Sequence, residues 1–179
     1  MLNEVKSLAK VRSQYVVQYY NSWLNDNTNE LYIQMEYCPQ SLRTVLADKA
    51  LAFGRQLAAE PMNVFEYYIS CELFKQVLES VQYLHECKPP VIHRDLKPDN
   101  ILIDSNIRSN YCVKLCDFGL ATDHNIDGNT TSRYGHTSCV GTIGYMAPEV
   151  LSGSVYNHKS DIYSLSLIGQ KLFDIDLQA

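Results

Sequence analysis

His93-Arg94-Asp95-Leu96-Lys97-Pro98-Asp99-Asn100 is the stretch on which the fold turns. It places a carboxylate, an ammonium and an amide within six positions, between the apolar pairs Val91-Ile92 and Ile101-Leu102. A loop held at both ends by buried strands can present side chains accurately. A carboxylate can orient a hydroxyl or take its proton. A lysine can offset phosphate charge. An amide oxygen paired with a second carboxylate suits Mg²⁺, which prefers oxygen ligands. That second carboxylate is Asp117, in Cys116-Asp117-Phe118-Gly119, 17 positions after Asn100.

Outward from this segment the periodicity alternates between strand and helix. Residues 15–23 are rich in Val and aromatics and predict a strand. The polar run 25–29 predicts a turn, and strict alternation over 31–37 predicts a second strand. Ser41 is the expected N-cap of a short helix over 41–48, and residues 49–62 are expected to be irregular. A long helix is expected over 64–85, with Ile69, Phe74, Val77, Leu78, Val81 and Leu84 as its buried stripe. Short strands follow at 91–92, 101–103 and 111–115. Residues 121–140 predict a loop, and 160–173 a last helix capped by Ser160. Leu2, Val5, Leu8 and Val11 fall on one face of a helix at the chain start.

Composition narrows the function classes. The 179 residues suffice for one sizeable domain, and 46% apolar against 20% charged residues is globular. A formal net charge of −5 argues against a general nucleic-acid or anionic-membrane binder. No segment approaches the roughly 20 apolar residues of a membrane helix. The six Cys lack zinc spacing or a disulfide framework and predict reduced thiols in a cytoplasmic protein. The 13 Tyr are expected in the core and strands, and the sequon at Asn129 is read as chance.

HRDLKPDN (residues 93–100), DFG (117–119) and Ala147-Pro148-Glu149, in that order, resemble the signature set of protein kinases. The resemblance implies an α+β, two-lobed protein-kinase-like fold. Residues 1–38 would be an N-lobe remnant with the hinge, and 39–179 a C-lobe without its last helices. It implies ATP and Mg²⁺ as cofactors and a protein serine or threonine as substrate. By the same resemblance Asp95 is the catalytic base, Lys97 contacts the transferring phosphate, and Asn100 and Asp117 hold Mg²⁺. Lys97 is typical of Ser/Thr-directed kinases. Met35 stands as the residue behind the adenine pocket. Glu36 and Cys38 offer backbone groups to the adenine edge.

Further roles come from the resemblance alone. Thr137 is the expected regulatory phosphate acceptor, Ser138 the second choice, and Arg94 the partner of that phosphate. Thr142 contacts Asp95 and Lys97. Asp161 holds the backbone of the catalytic loop. Glu4, His93, Phe118, Gly119 and Glu149 are structural, Glu149 normally pairing with an Arg in a later helix. The segments LYIQMEYC (31–38), VVQYYNSW (16–23), DFGLATDH (117–124), GHTSCVGTIGYMAPE (135–149) and YNHKSDIYSLSL (156–167) are similar to the kinases of the alpha subunit of eukaryotic initiation factor 2. That narrower resemblance implies the initiation factor as a protein partner, translation control under stress, and a kinase dimer in the complete protein. Cys38-Pro39 also matches a minimal haem-sensing dipeptide, although hinge geometry accounts for both residues. No G-x-G-x-x-G loop or V-A-I-K lysine occurs in the sequence. The isolated chain is therefore expected to be weakly active or inactive. The competing expectation is a non-catalytic binding module or decoy.

Overall fold

The structure is a computed structural model that describes residues 11–25, 27–56, 60–104, 111–119, 121–123, 141–152 and 157–175. Glu4, Thr137, Ser138, the sequon at Asn129 and the expected first helix up to residue 10 lie outside them.

The first element is an antiparallel hairpin of β1 (Tyr19–Asn25) and β2 (Glu30–Met35). Its turn needs a left-handed residue, and Asn29 supplies it with φ of 54°. Trp23 opposes Tyr32 across the pair, and their rings stack at 5.8 Å. The first strand begins later than the sequence predicts. Residues 15–17 have strand composition, but their backbone is committed elsewhere. Val17 N–H donates to the Leu115 carbonyl at 3.0 Å, and Leu115 N–H donates to the Tyr15 carbonyl at 2.9 Å. This short parallel bridge ties the hairpin to the body.

Ser41 caps α1 (Leu42–Ala52) in a reciprocal capping box with Thr44. The helix runs past the predicted end at 48 and turns at Gly54, whose φ is 78°. Asn63 caps α2 (Val64–Glu86), close to the predicted bounds. β3 (Gln40–Ser41), β5 (Ile101–Ile103) and β6 (Val113–Leu115) form a three-stranded sheet, and β4 (Val91–Ile92) pairs with β7 (Thr122–Asp123). A 3-10 turn, Ile143–Tyr145, precedes α3 (Pro148–Leu151) and α4 (His158–Phe173). The cap of α4 is Asn157 rather than Ser160. The Ser160 hydroxyl instead completes the capping box from the helix side.

The core lies between α2, α4 and the three-stranded sheet. Val77, Val81 and Leu84 meet Leu165, Ile168 and Leu172, with Leu115 and Phe118 beneath them. Helices α2 and α4 approach closely at Gly169, where a Cβ would lie 3.0 Å from the Phe74 ring. The predicted stripe of α2 is partly displaced, since Ile69 and Leu78 are more than 40% exposed. Glu66, Ser70, Gln76 and Ser80 are buried on that helix instead. Polar partners make this possible. The Gln76 side-chain oxygen accepts from the N–H groups of Cys112 and Val113, and the Ser80 hydroxyl bonds the Gln76 carbonyl and Tyr111. Among the described residues, Tyr20 and Tyr32 lie in β1 and β2 as expected but are exposed, and Tyr37, Tyr67 and Tyr68 are exposed outside the strands.

Leu84→Ala is expected to lower the unfolding free energy by about 2–5 kcal/mol through an unfilled cavity. Leu78→Ala is expected to change it by less than about 1 kcal/mol. Denaturant unfolding of the two variants checks which residues form the buried stripe; equal losses would place Leu78 in the core.

Candidate active site

The sheet and helices converge on the loop from His93 to Asn100. β4 delivers the chain into it, and a 3-10 turn, Pro98–Asn100, delivers it out into β5. His93 is fully buried. Its Nδ1 faces the Asp95 N–H at 3.4 Å, and its Nε2 lies 3.0 Å from the Cys116 carbonyl. A ring nitrogen facing a donor must accept, so Nε2 carries the hydrogen. Burial lowers the His93 pKa, which keeps this ring neutral. The imidazole thereby joins this loop to the segment holding Asp117, and the ring packs 5.1 Å from Phe118.

Arg94 adopts φ of 71°, a left-handed conformation that costs a non-glycine residue about 1–2 kcal/mol. Asp161, in the first turn of α4, holds this turn in place. Its Oδ2 accepts from His93 N–H and its Oδ1 from Arg94 N–H, each at 3.0 Å. His85 Nε2 lies 2.8 Å from the same Oδ2. The carboxylate is 1% exposed, so these partners stand in for water.

Asp95 follows, 7% exposed. Lys97 Nζ donates to its Oδ2 at 2.8 Å, and Asn100 Nδ2 donates to the same oxygen at 3.1 Å. Thr142 donates to Oδ1 twice, from its N–H at 2.8 Å and its hydroxyl at 2.9 Å. Lys97 also reaches the Thr142 hydroxyl at 2.8 Å. Burial raises the Asp95 pKa, but hydrogen bonds from Lys97 and Thr142 outweigh it and hold the carboxyl below its ordinary range. The hydrogen bond to Asp95 raises the Lys97 pKa. Both groups are therefore charged at neutral pH.

Asn100 directs its amide nitrogen to the Asp95 carbonyl and carboxylate. Its other side-chain atom is an oxygen, as a hard cation requires. Asp117 is exposed, with φ of 62°, and accepts from Gly119 N–H at 3.4 Å. Cys116 N–H donates to the Asn100 carbonyl at 3.0 Å, which joins the two segments directly. This oxygen donor set fits Mg²⁺.

Met35 ends β2, and Glu36 and Cys38 follow it. Met35 is 37% exposed. Glu36 N–H donates to the Gln18 carbonyl at 2.8 Å, and its carboxylate pairs with Lys114 at 2.9 Å. Burial, reinforced by Glu36 and Asp104, pushes the Cys38 thiol up to about 11, so it stays protonated. Glu149 sits in the first turn of α3. Contacts missed in the sequence include His85 with Asp161, Lys114 with Glu36, and Arg43 of α1 with Asp99. Each joins residues far apart in the chain, and no local pattern marks them.

A family described as "Protein kinase domain" matches residues 1–175. The MAP kinase kinase MKK1/SSP32 of Saccharomyces cerevisiae is 33% identical over 167 residues, covering 93% of this chain and 29% of that protein. The eIF-2-alpha kinase GCN2 of Schizosaccharomyces pombe is 39% identical over 150 residues, covering 77% of this chain and 8% of that protein. The crystal structure of the yeast RNA Pol II CTD kinase CTDK-1 complex superposes with a TM-score of 0.71 at 28% identity. It covers 97% of this chain and 49% of that one. The chain thus spans less than a third of the length of these two curated relatives.

Asp161→Asn would turn an amide nitrogen toward a backbone donor. A loss of about 1–3 kcal/mol in unfolding free energy is expected. Faster amide exchange at His93 and Arg94 should accompany it. Unchanged exchange there would show that the loop holds its turn without this carboxylate.

Asp95 supplies an acid-dependent contribution. A carboxyl with a depressed folded pKa stabilises the fold above its unfolded pKa of about 4. That contribution is lost as pH falls through the lower folded value. Thermal unfolding of Asp95→Asn between about pH 5 and pH 2 should fall less steeply than that of the parent. Parallel curves would contradict the depressed pKa.

Proposed function

The chain belongs to the protein kinase family, and from that membership we propose that it transfers the terminal phosphate of ATP to a serine or threonine hydroxyl of a protein. The observation that carries this reading is the shared hold of Lys97 and Thr142 on the Asp95 carboxylate, beside the oxygen donors Asn100 and Asp117. In this reading Asp95 orients the acceptor hydroxyl and takes its proton. Lys97 donates to a phosphate oxygen while remaining paired with Asp95. Thr142 keeps the Asp95 carboxylate in one orientation. Asn100 and Asp117 would hold Mg²⁺, which offsets phosphate charge when bound. Because the Glu36 N–H is committed to Gln18, its carbonyl is the group available to an adenine edge, with Cys38 beyond it.

Most of the barrier in phosphoryl transfer is lowered by positioning and electrostatics rather than by covalent chemistry. The site is arranged accordingly. Asp95 is ionised, as a proton acceptor must be. Lys97 is charged, and its pairing leaves little net charge to repel the nucleotide. Residues 1–38 and 39–179 would act as the two sides of the cleft. In the complete protein Thr137, or Ser138, would take a regulatory phosphate that pairs with Arg94.

The narrower proposal is an initiation-factor-2 alpha kinase, which would act in translation control. Its support is the set of short segments from LYIQMEYC to YNHKSDIYSLSL and the 39% identity with GCN2 of S. pombe. The match to the MAP kinase kinase is of similar strength and supports the broader family equally.

Phosphate transfer from radiolabelled MgATP to a panel of serine and threonine peptides, measured on the complete protein that carries this chain, tests the activity. Asp95→Asn is expected to reduce transfer by at least about 100-fold. Transfer at the parental rate by this variant would remove Asp95 from its proposed role.

A further inference from the structure

The segment joining α1 to α2 has no place in the site described above, yet charged groups are buried against it. Lys49 lies near the end of α1, Arg55 just beyond it, Glu66 in the first turn of α2, and Asp174 at the C-cap of α4. Lys49 and Arg55 are each 6% exposed, and Glu66 is fully buried. Arg55 Nη2 donates to Glu66 Oε1 at 2.5 Å and to Asp174 Oδ2 at 2.7 Å. Its Nη1 donates to the Glu60 carbonyl at 2.8 Å. Lys49 Nζ donates to the Leu172 carbonyl at 2.7 Å and lies 3.2 Å from Asp174 Oδ2.

Two cations face two carboxylates, so the cluster is neutral. Such a cluster is a poor source of stability. Desolvation offsets the attraction, and apolar replacements of similar shape are often neutral or better. It does supply direction. Arg55 Nη2, just past the end of α1, bonds a carboxylate of α2 and one at the end of α4, and its planar guanidinium fixes how these elements stand to one another.

The helices so joined also frame the active site. α4 carries Asp161 at its other end. α1 is capped by Ser41, whose strand β3 pairs with β5 directly after Asn100. Two residues beyond Ser41, Arg43 reaches Asp99 inside the loop. Helix α1 is thus held at its start by the catalytic loop and at its end by the charge cluster. Residues 36–41 lead straight into it.

We infer that Arg55 and Glu66 are positioning residues that, together with Lys49 on α1, set the end of α1 against α2 and α4 and thereby fix the 36–41 segment for nucleotide. The inference rests on the kinase reading for what that segment binds, but the positioning itself is a property of the fold. Neither residue touches the reacting groups.

Three variants test it: Arg55→Met, the milder Glu66→Gln, and the double replacement Arg55→Met with Glu66→Met. The double variant leaves Lys49 and Asp174 as a balanced pair. Each is followed by thermal unfolding, by amide hydrogen exchange and by binding of a fluorescent ATP analogue with Mg²⁺. All three are expected to exchange residues 36–45 about tenfold faster, with residues 93–100 little changed. Nucleotide affinity should weaken by about 5- to 10-fold. The double variant should recover thermal stability without recovering slow exchange at 36–45 or nucleotide affinity. If slow exchange returns together with stability, the cluster is merely structural and the inference is overturned. Faster exchange confined to 53–66, or spread evenly over the chain, overturns it as well. If Arg55→Met does not fold, Glu66→Gln and the double variant decide. If the parent binds no nucleotide, the kinase reading fails while the exchange pattern still decides the positioning claim.

Discussion

One buried carboxylate sets the shape of the candidate active site. Asp161 accepts two backbone hydrogen bonds from consecutive residues, His93 and Arg94, and a third contact from His85. Consecutive N–H groups normally point in different directions along an extended chain. Turning both toward one side chain requires a sharp bend, and Arg94 provides it by adopting a positive φ. The unfavourable conformation and the buried charge each need the other. Without the bend the carboxylate would lose its donors in an environment that water does not reach. Without the carboxylate the bend would have nothing to offset its cost.

The consequence is carried forward along the loop. Once His93 and Arg94 are fixed, Asp95 emerges against Lys97, Asn100 and Thr142 rather than into solvent. Four hydrogen bonds from Lys97, Thr142 and Asn100 then define the orientation of a single carboxylate. A group held that way needs little reorganisation when a substrate arrives, which is the condition for strong electrostatic catalysis. The neutral His93 ring extends the same order to the neighbouring segment. Its bond to the Cys116 carbonyl fixes the residue immediately before Asp117, so both oxygen donors are placed by one framework.

Much of this was legible in the sequence because it is local. The capping serine at 41, the long helix from 64, the short strands flanking HRDLKPDN and the turn at 25–29 all follow from patterns a few residues long. The errors share a physical cause, which is that tertiary partners override local pattern. Residues 15–17 look like a strand, but their hydrogen bonds are taken by Leu115. The stripe on α2 drifts because Glu66, Gln76 and Ser80 find buried partners, which leaves Ile69 and Leu78 toward solvent. Ser160 has the chemistry of a cap, but Asn157 reaches the first free N–H groups from a better position. At the site, the motif residues announce themselves through composition and order. Arg43, His85 and Lys114 do not, since nothing near them in the chain records that Asp99, Asp161 and Glu36 will lie against them.

Helix α4 explains how these distant pairs become coherent. Its 16 residues span about 24 Å as a rigid rod. Asp161 stands at one end and the carbonyl of Leu172, with Asp174, at the other. The first end orders the 93–100 loop, and the second receives Lys49 from α1 and Arg55 from the segment following it. Its middle is pressed against α2 at Gly169, where the absence of a side chain lets Phe74 approach. A rod fixed in the core and charged at both ends can relate two separate surfaces of the domain to a common axis. Strand β2 with the segment after it and the 93–100 loop need not specify their relative position by direct contact alone. They inherit much of it from α1 and α4, whose buried charges are too costly to sit anywhere except where their partners are.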